Sequence, residues 1–465
     1  MSALPSRKDE KGMSFLLSAH SRVHFVGIGG ISMSALALIM KRRGYRVTGY
    51  DLRRTPATQK LEAEGIEISY TADGKLAACS DLCVYSAAIH DDHPELIAAR
   101  AAGAEMVSRA ELLGTIAKDY SNSIAIAGTH GKSTTSGMLS QIFLSCESAD
   151  PTILVGAELP ALHSTFRTGS DGNFIFEACE YKDSFLSFYP TMCIVLNVEL
   201  DHTDYFHDID QMRRSFTQFL RNSQSKTAVV NADCPNALKA AEESGCELHT
   251  FSLKVRGGEF YPENMRFENG HAVFILCRNE KRLFEVSLSV PGIHNVSNAL
   301  AASAAALISG VPADAICRGL SDFTGVCRRF EYKGLCNGAR VYDDYAHHPD
   351  EVRATLDAAK GLGASRIVVA FEPHTYSRLH DFLHGFASVL RRADVVCIAP
   401  VYAARETETF GCNSGTLAAL IPGARAFENY ETLEQHLRSV LQAGDIMITM
   451  GAGDVTHLAA ALTSD

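Results

Sequence analysis

The chain has 465 residues, which is enough for about three domains, and 46% of them are hydrophobic, as in an ordinary globular protein. Its formal net charge of −11 argues against nucleic acid or an anionic membrane as the main partner. The thirteen cysteines are scattered and form no C-x-x-C pair, which excludes a disulfide scaffold and favours a reducing cytoplasm. The absence of a long uninterrupted apolar run predicts no membrane span. Residues 1–20 lack the apolar core of a signal peptide, so we expect none.

The first block of the chain opens with a glycine-rich turn. Residues 23–51 predict a strand, the turn Gly27-Ile28-Gly29-Gly30, a helix and a second strand. This βαβ pattern predicts a Rossmann-like domain whose glycines hold a diphosphate at a helix N-terminus. Asp51 lies about twenty residues after the glycines, a spacing that suits ribose binding in dinucleotide folds.

Two more candidate ligand residues follow later strands of this block. A strand over residues 82–86 leads to Ser86, and a helix begins near Ser108-Arg109. Both positions lie where an open α/β sheet binds its ligands. We expect residues 1–118 to form this first domain.

The second block begins with a phosphate-binding loop. The apolar run 124–127 predicts a buried strand, and GTHGKSTT at 128–135 leads into an amphipathic helix. Glycines let backbone N–H groups approach phosphate oxygens, Lys132 can reach the β- and γ-phosphates, and the Ser133 hydroxyl can ligate Mg²⁺. The standard P-loop has a further glycine where this chain has Ile126. The predicted nucleotide contacts are Gly128, Thr129, His130, Gly131, Lys132, Ser133 and Thr134.

Acidic residues and a histidine follow two further predicted strands of the second block. Glu177 and Glu180 come after one strand, and Asp201, His202 and Asp204 come after the next. In a parallel sheet these ends can converge beside the P-loop, where an acid could hold Mg²⁺ against a phosphate. On this argument the candidate metal ligands are the Ser133 hydroxyl and the carboxylates of Glu177 and Glu180.

The rest of the chain predicts a small antiparallel patch and a second Rossmann-like domain. Residues 247–290 alternate in polarity and carry Asn269-Gly270, a hairpin signal. A helix is expected from Asn295 to about Ser309, and alternating strands and helices follow from residue 328. The predicted fold is α/β in three domains: a Rossmann-like N-terminal domain (1–118), a central P-loop ATPase-like domain with the antiparallel patch (119–325) and a C-terminal Rossmann-like domain (326–465).

A series of ordered motifs spans nearly the whole chain. They are HFVGIGGISMSALA at 24–37, GTHGKSTT at 128–135, EACEYKDSFL at 177–186, NVELDHTDYF at 197–206, GIHNVSNALAA at 292–302, RRFE at 328–331, DDYAHHPDE at 343–351, FEPHTYSR at 371–378 and GAGD at 451–454. Together they resemble the Mur ligase family. The resemblance implies an enzyme of peptidoglycan precursor synthesis that uses ATP and Mg²⁺ to join L-alanine to the carboxylate of UDP-N-acetylmuramate. In that reaction the carboxylate is phosphorylated, and the amine attacks the acyl phosphate.

The resemblance also assigns roles to residues by their place in these motifs. It implies that the first domain binds the UDP-sugar, the central domain binds ATP, and the third domain brings the amino acid. Lys132, Glu177, His202, His347 and Arg378 would act in catalysis. Glu177 and His202 would also serve as metal ligands, and because the family's second acid is kept as Glu180, the resemblance leaves open whether Glu177 or Glu180 carries the metal. His294, Asn295, Asn298, Arg329 and Asp344 would contact the nucleotide. Tyr345, His347 and Arg378 would form the alanine side, since an arginine can hold a carboxylate through two hydrogen bonds. Gly27, Gly29, Gly30, Asp51, Ser86 and Arg109 would contact the UDP-sugar.

Two departures from related ligases are visible in the sequence. Some members carry arginine where Thr375 stands, so the pocket is expected to rely more on Arg378. No lysine occurs between His202 and Leu220, so we expect no carbamylated lysine here.

Three alternatives remain open from the sequence. A dehydrogenase would explain the glycine turn and Asp51 but not the P-loop. A nucleotide-binding module without catalysis would not need Lys132, Glu177 and His202 together. Within the enzyme class, the close rival is a ligase that recycles whole murein peptides onto the same sugar. We expect a cytoplasmic monomer or homodimer.

Overall fold

The computed structural model describes residues 21–86, 88–202, 205–404 and 406–464. The chain divides into two compact units, and each is described separately. The first contains residues up to 132, together with 146–156 and 164–250, and the second contains 133–145, 157–163 and 251 onward. The predicted N-terminal segment 1–20 and Asp204 lie outside the described residues.

The first unit opens with a five-stranded parallel sheet. Its strands are β1 Arg22–Val26, β2 Arg46–Tyr50, β3 Glu67–Ser69, β4 Leu82–Tyr85 and β5 Glu105–Ser108. Its helices are α1 Ile31–Arg42, α2 Pro56–Ala63, α3 Pro94–Ala101 and α4 Arg109–Ala117. The strand order is β3-β2-β1-β4-β5. The chain places β2 and β3 on one side of β1 and then returns to place β4 and β5 on the other side, which is the topology of a Rossmann-like sheet. The predicted Rossmann-like N-terminal domain is therefore confirmed.

The P-loop sheet follows in the chain and lies mostly in this unit, whereas residues 133–144, 157–159 and 251 of the elements below belong to the second unit. The strands that follow are β6 Asn122–Ala127, β7 Thr152–Leu159, β8 Ser164–Arg167, β9 Asn173–Glu177, β10 Met192–Val195, β11 Thr227–Asn231 and β12 Glu247–Phe251. The helices are α5 Lys132–Leu144, α6 Ile209–Arg221 and α7 Pro235–Glu242. Strand β6 pairs in parallel with β9 on one side and β10 on the other. The loops that leave these three strands therefore emerge at one edge of the sheet, beside the P-loop.

The second unit contains the predicted antiparallel patch. It consists of β13 Phe260–Glu268, β14 His271–Arg278 and β15 Lys281–Pro291, followed by α8 Ile293–Ile308 and α9 Ala313–Asp322. Asn269 and Gly270 join β13 to β14 with φ angles of 51° and 85°, as a tight hairpin turn requires. The hairpin prediction is confirmed. Helix α8 begins at Ile293, two residues earlier than predicted, because Gly292 at φ 99° turns the chain into it.

A six-stranded sheet forms the C-terminal part of the second unit. Its strands are β16 Glu331–Cys336, β17 Ala339–Asp344, β18 Ile367–Phe371, β19 Val395–Ile398, β20 Arg425–Ala426 and β21 Ile446–Met450. Its helices are α10 Pro349–Gly361, α11 Tyr376–Asp381, α12 Leu383–Leu390, α13 Ser414–Ala419, α14 Tyr430–Val440 and α15 Thr456–Thr463. The order is β16-β17-β21-β18-β19-β20, with only β16 antiparallel to its neighbour. The loops after β17, β18 and β21 therefore lie next to one another.

Apolar side chains cover both faces of the parallel sheets. Strands β6, β10 and β18 are buried along almost their whole length, which fits their continuous apolar sequences. The alanine-rich helix α8 is buried from Ala299 to Ala306, because small side chains allow close packing. Within the described ranges no helix is long and apolar enough to cross a membrane.

Candidate active site

The P-loop is held open by two glycines and by the strand beside it. Gly128 and Gly131 adopt φ angles of 144° and 85°, which L side chains rarely adopt. A Cβ atom on Gly128 would lie 3.0 Å from the Cβ atom of Leu196, so this position also has no space for a side chain. The His130 N–H donates to Oδ1 of Asn197 at 2.7 Å, and the Asn197 amide donates back to the His130 carbonyl at 3.0 Å. The loop is thus tied to the exit of β10.

Lys132 places a positive charge inside this loop. Its ammonium donates to the carbonyls of Gly128 and Thr129 and forms an ion pair with the Glu180 carboxylate at 3.1 Å. Burial lowers the pKa of Lys132, but Glu180, through its charge and its hydrogen bond, together with Cys179 and Glu177, raises the pKa above its ordinary value. The side chain therefore remains an ammonium throughout the physiological range, as phosphate binding needs.

Glu180 also lies beside His202. The carboxylate is 1% exposed, and its Oε1 atom lies 3.7 Å from Nε2 of His202. The His202 ring packs against Tyr181, with ring centroids 4.7 Å apart. Lys132, Glu180 and His202 are thus brought together at the edge where the sequence predicted them.

Glu177 has a different neighbour from Glu180. Its Oε1 atom accepts the Gly156 N–H at 2.6 Å, and a Cβ on Gly156 would lie 2.9 Å from the carboxylate. Asp201 accepts the backbone N–H of His202 at 2.7 Å. Among the described residues, no group of three or more His, Cys, Asp or Glu side chains is assembled as a metal centre. The choice between Glu177 and Glu180 as metal ligand stays a prediction.

The glycine turn of the first domain is fastened by Asp51. The Gly29 N–H donates to Oδ2 of Asp51 at 2.7 Å, and a Cβ on Gly29 would lie 2.9 Å from that oxygen. Gly27, at φ 79°, donates its N–H to the Tyr50 carbonyl, and Gly30 is the N-cap residue of α1. Asp51 therefore stabilises the turn itself, in addition to any contact it makes with a ribose.

Ser86 and Arg109 lie at the same end of the first sheet. Ser86 follows β4, and Arg109 is the first residue of α4 after β5. Both are half-buried, and burial lowers the pKa of the Arg109 guanidinium.

The residues predicted to approach adenine lie in the first two turns of α8. Asn295 donates its side-chain amide to the Pro291 carbonyl at 2.7 Å, and Asn298 donates to Oδ1 of Asn295 at 3.1 Å. Asn298 is therefore inside the helix and does not cap its start. Burial lowers the pKa of His294 to about 4, so this imidazole is neutral at physiological pH.

In the C-terminal part of the second unit, arginines surround Tyr345. The guanidinium groups of Arg328 and Arg329 lie 4.9 and 5.2 Å from the centre of the Tyr345 ring. Arg329 is also 3.6 Å from Glu351. Asp344 is buried and accepts N–H groups of the neighbouring backbone, and burial raises its pKa to about 6.

Two histidines with opposite hydrogen-bonding roles complete this cluster. His347 Nδ1 lies 2.9 Å from the Tyr345 carbonyl, which can only accept, so Nδ1 carries the proton and Nε2 is an acceptor. Arg378 can only donate, and its Nη1 lies 3.2 Å from Nδ1 of His374, so the proton of His374 is on Nε2. Burial lowers the pKa of both rings, that of His374 to about 4.

Sequence reasoning missed His374 and the groups that support it. The ring centroids of His374 and His347 lie 5.7 Å apart, and Tyr402 stacks on His374 at 5.5 Å. Glu406 accepts the N–H groups of Tyr376 and Ser377 at the start of α11. The histidine stands inside the quoted FEPHTYSR motif, so the motif was the available signal. Tyr402 and Glu406 come from a neighbouring loop and leave no local signal.

Comparison with known proteins places the chain in one family. Profiles of the Mur ligase family match residues 22–121 (catalytic domain), 126–306 (middle domain) and 328–453 (glutamate ligase domain). A UDP-N-acetylmuramate–L-alanine ligase from Agathobacter rectalis is 45% identical over 444 residues, covering 94% of this chain and 96% of the relative. A protein of the same name from Clostridium novyi is 42% identical, covering 95% and 97%.

A solved structure supports the same conclusion. The UDP-N-acetylmuramate-alanine ligase from Thermotoga maritima is 28% identical, covers 95% of this chain and 98% of its own, and superposes with a TM-score of 0.77. A murein peptide ligase from Psychrobacter arcticus is 24% identical with a TM-score of 0.70, which shows the shared fold. The chain belongs to the Mur ligase family.

Proposed function

We propose that this protein is an ATP-dependent ligase that joins L-alanine to the carboxylate of UDP-N-acetylmuramate in peptidoglycan precursor synthesis. The observation that carries the proposal is Lys132 held as an ammonium in the P-loop, with Glu180 and His202 beside it. The full-length relatives of that name support the choice of substrates. The reaction would take place in the cytoplasm.

ATP would bind through the P-loop. Its terminal phosphates would lie against the loop N–H groups and Lys132, because a P-loop cradles the β- and γ-phosphates. His294, Asn295 and Asn298 would serve the adenine, and a neutral His294 suits contact with an uncharged base. Arg329 and Asp344 would also contact the nucleotide.

The residues near Lys132 fit Mg²⁺ as the metal. The Ser133 hydroxyl and the carboxylates of Glu177 and Glu180 are oxygen donors, which this hard cation prefers. The described side chains do not by themselves form a closed metal cage. That agrees with an ion that takes most of its ligands from phosphate and water. Bound there, Mg²⁺ would offset the charge of the transferred phosphoryl group, and His202 would support the acid that holds it.

The amino-acid side would be formed by the histidine and arginine cluster. Arg378 would hold the carboxylate of L-alanine, and the Nε2–H of His374 can donate to the same group. The free Nε2 lone pair of His347 can accept a hydrogen from the amine. Tyr345 would line the pocket. On the other substrate, Gly27, Gly29, Gly30, Ser86 and Arg109 would contact the UDP-sugar.

The nucleotide product tests the chemistry. A P-loop favours transfer of the terminal phosphoryl group, so the substrate carboxylate should become an acyl phosphate. We expect incubation with ATP, L-alanine and UDP-N-acetylmuramate to give ADP and phosphate in equal amounts with the amide. Chromatography of the nucleotides decides, and AMP with pyrophosphate would contradict the acyl phosphate route.

The amine substrate needs its own test, because a murein peptide ligase shares this fold. We expect product with L-alanine and little or none with the murein tripeptide, measured by mass spectrometry at equal amine concentrations. Preference for the tripeptide would make recycling of murein peptide the function.

A further inference from the structure

Glu372 is a fully buried acid that none of the predicted roles uses. It follows β18 directly, is 0% exposed and stands two residues before His374. Its carboxylate accepts backbone N–H groups of Gly453, Asp454 and Val455 at 2.7, 2.9 and 3.1 Å, and the hydroxyl of Tyr430. These four donors satisfy the hydrogen-bonding capacity of the carboxylate, so it needs no ligand as a partner.

The turn that Glu372 holds would otherwise suit an anion. A glycine turn before a helix exposes several N–H groups and commonly binds phosphate. Here the Glu372 carboxylate accepts hydrogen bonds from those N–H groups. On the other side of the turn, the carbonyls of Gly451 and Gly453 accept Nη2 of Arg328 at 2.8 and 3.1 Å. The turn is therefore fixed from both sides by side chains of the same unit.

Gly453 transmits this arrangement to Tyr402. A Cβ atom on Gly453 would lie 2.5 Å from Oε1 of Glu372 and 2.5 Å from the Tyr402 ring, so the glycine backbone is packed between them. The Tyr402 backbone is bonded to the loop after β18 at both ends. Its N–H donates to the Pro373 carbonyl at 2.9 Å, and its carbonyl accepts the Thr375 N–H at 2.8 Å.

Tyr402 in turn contacts the predicted amino-acid pocket. Its ring stacks on His374 with an angle of 17° between the planes. The other side of this contact is the Arg378 hydrogen bond to Nδ1 of His374. A displacement of Gly453 or Glu372 would therefore reach His374 through one layer of packed atoms and alter the direction of Arg378.

We propose that Glu372 is a positioning residue of the amino-acid pocket, which fixes the Gly453 turn and Tyr402 so that His374 and Arg378 point correctly. It contacts no substrate in this account. The proposal rests on the proposed function, because that function makes this cluster the amino-acid side. A positioning role differs from a purely stabilising one in a measurable way. Loss of Glu372 should raise the KM for L-alanine and leave the KM values of the other two substrates nearly unchanged.

Two substitutions of Glu372 give graded expectations. Glu372→Ala removes every acceptor, so the KM for L-alanine should rise about tenfold or more, while the KM values for ATP and the UDP-sugar stay within about twofold. Glu372→Gln can place its oxygen at the Oε2 position, where it still accepts the Asp454 and Val455 N–H groups and the Tyr430 hydroxyl, but its amide then faces the Gly453 N–H and that hydrogen bond is lost. The glutamine variant should therefore raise the alanine KM less than Glu372→Ala does, by about threefold.

A matched control and a second variant keep the test decisive. Glu431→Ala removes an exposed acid from the helix that carries Tyr430 and should leave all three KM values unchanged. If Glu372→Ala does not fold, Gly453→Ala still tests the proposal. It retains the acid but pushes against Glu372 and Tyr402, so the alanine KM should rise.

The outcomes separate this proposal from the proposed function. A folded Glu372→Ala or Gly453→Ala protein with the parent alanine KM would overturn the positioning role, as would an equal rise in all three KM values. A parent protein that does not consume L-alanine would overturn the proposed function instead. If that protein uses the murein tripeptide instead, the role of Glu372 would be decided by measuring the KM for the tripeptide, ATP and the UDP-sugar in the same variants.

Discussion

At the scale of single residues, the placement of charge decides what each side chain can do. Lys132 is partnered by a carboxylate that is 1% exposed, and two loop carbonyls complete its hydrogen bonds. The sequence predicted the lysine because strand, glycine turn and helix are local features. It could not choose between Glu177 and Glu180. The structure pairs Lys132 with Glu180, which precedes a turn in which Lys182 and Asp183 adopt φ angles of 51° and 56°.

Removing the Lys132 charge should abolish turnover. We expect Lys132→Ala to lose activity by about a hundredfold or more, as when one donor to developing charge is removed. The variant should also lose about 3 kcal/mol of unfolding free energy, because Glu180 is left buried without its ion-pair partner. Phosphate release and urea unfolding measure the two effects. Lys239→Ala, on an exposed position of α7, is the control, and turnover near the parent rate in Lys132→Ala would exclude the proposed role.

A second buried pair tests the same physics away from the site. His24 and Glu95 are 0% and 1% exposed, with Nε2 and Oε2 atoms 3.2 Å apart. We expect His24→Leu to cost about 1–3 kcal/mol of unfolding free energy, because Oε2 of Glu95 stays buried without its histidine neighbour while Oε1 keeps the Gly74 N–H. The double variant His24→Leu/Glu95→Leu should recover only part of that loss, because the Gly74 N–H then loses its acceptor. Urea unfolding of all four proteins measures the coupling, and strictly additive losses would contradict it.

At the scale of elements, the predictions were strongest where a pattern is local. The Asn269-Gly270 hairpin and the strand before the P-loop were confirmed because turn chemistry and apolar runs act over a few residues. The start of α8 was misplaced by two residues, because a glycine at φ 99° began it before its polar residues. His374 was missed because its partners belong to other strands: Tyr402 follows β19, and the Gly453 turn follows β21. Such contacts depend on strand order, which local patterns do not contain.

Helix α4 offers a prediction at this scale. The Ser108 hydroxyl accepts the Glu111 N–H at 3.2 Å, and the Glu111 carboxylate accepts the Ser108 N–H at 2.8 Å. Ser108→Ala breaks this capping box and should cost about 1 kcal/mol of unfolding free energy. Because Arg109 is the first residue of the helix, the KM for the UDP-sugar should rise while that for L-alanine does not.

The control for α4 is the cap of a helix in the second unit, none of whose residues is predicted to contact the UDP-sugar. The Asn429 side chain caps α14 by accepting the Thr432 N–H at 2.9 Å, and Asn429→Ala removes this cap. It should cost a similar free energy without changing the UDP-sugar KM. If both variants change that KM equally, the contact of Arg109 with the UDP-sugar is not supported.

At the scale of the whole molecule, the predicted site residues are distributed over two units. Lys132, Glu180 and His202 belong to the first, and Arg329 and Arg378 belong to the second. The three family profiles and the two compact units divide the chain differently, so the predicted domain limits at 118 and 325 stay a prediction.

Turnover should require the predicted C-terminal domain (326–465) to close onto the predicted central domain (119–325). Closure would exclude water and protect an acyl phosphate from hydrolysis. We expect the hinge near Phe323 to Arg328, where Gly325 and Arg328 both have positive φ angles. We expect small-angle scattering to give a smaller radius of gyration with a non-hydrolysable ATP analogue and UDP-N-acetylmuramate together than with neither. An unchanged radius, in a protein shown to be open without ligands, would mean that the site assembles another way.

The pairing of Lys132 with Glu180 also bears on how products leave. The carboxylate is tethered a few ångströms from the ammonium, so it competes with any phosphate at a high effective concentration. Free inorganic phosphate makes few contacts, so it competes poorly with Glu180 for the Lys132 ammonium. ATP competes better, because its other phosphates and its base make additional contacts. Once the terminal phosphoryl group has been transferred, the carboxylate can reclaim the ammonium. Glu180 should therefore favour the release of phosphate after each turnover.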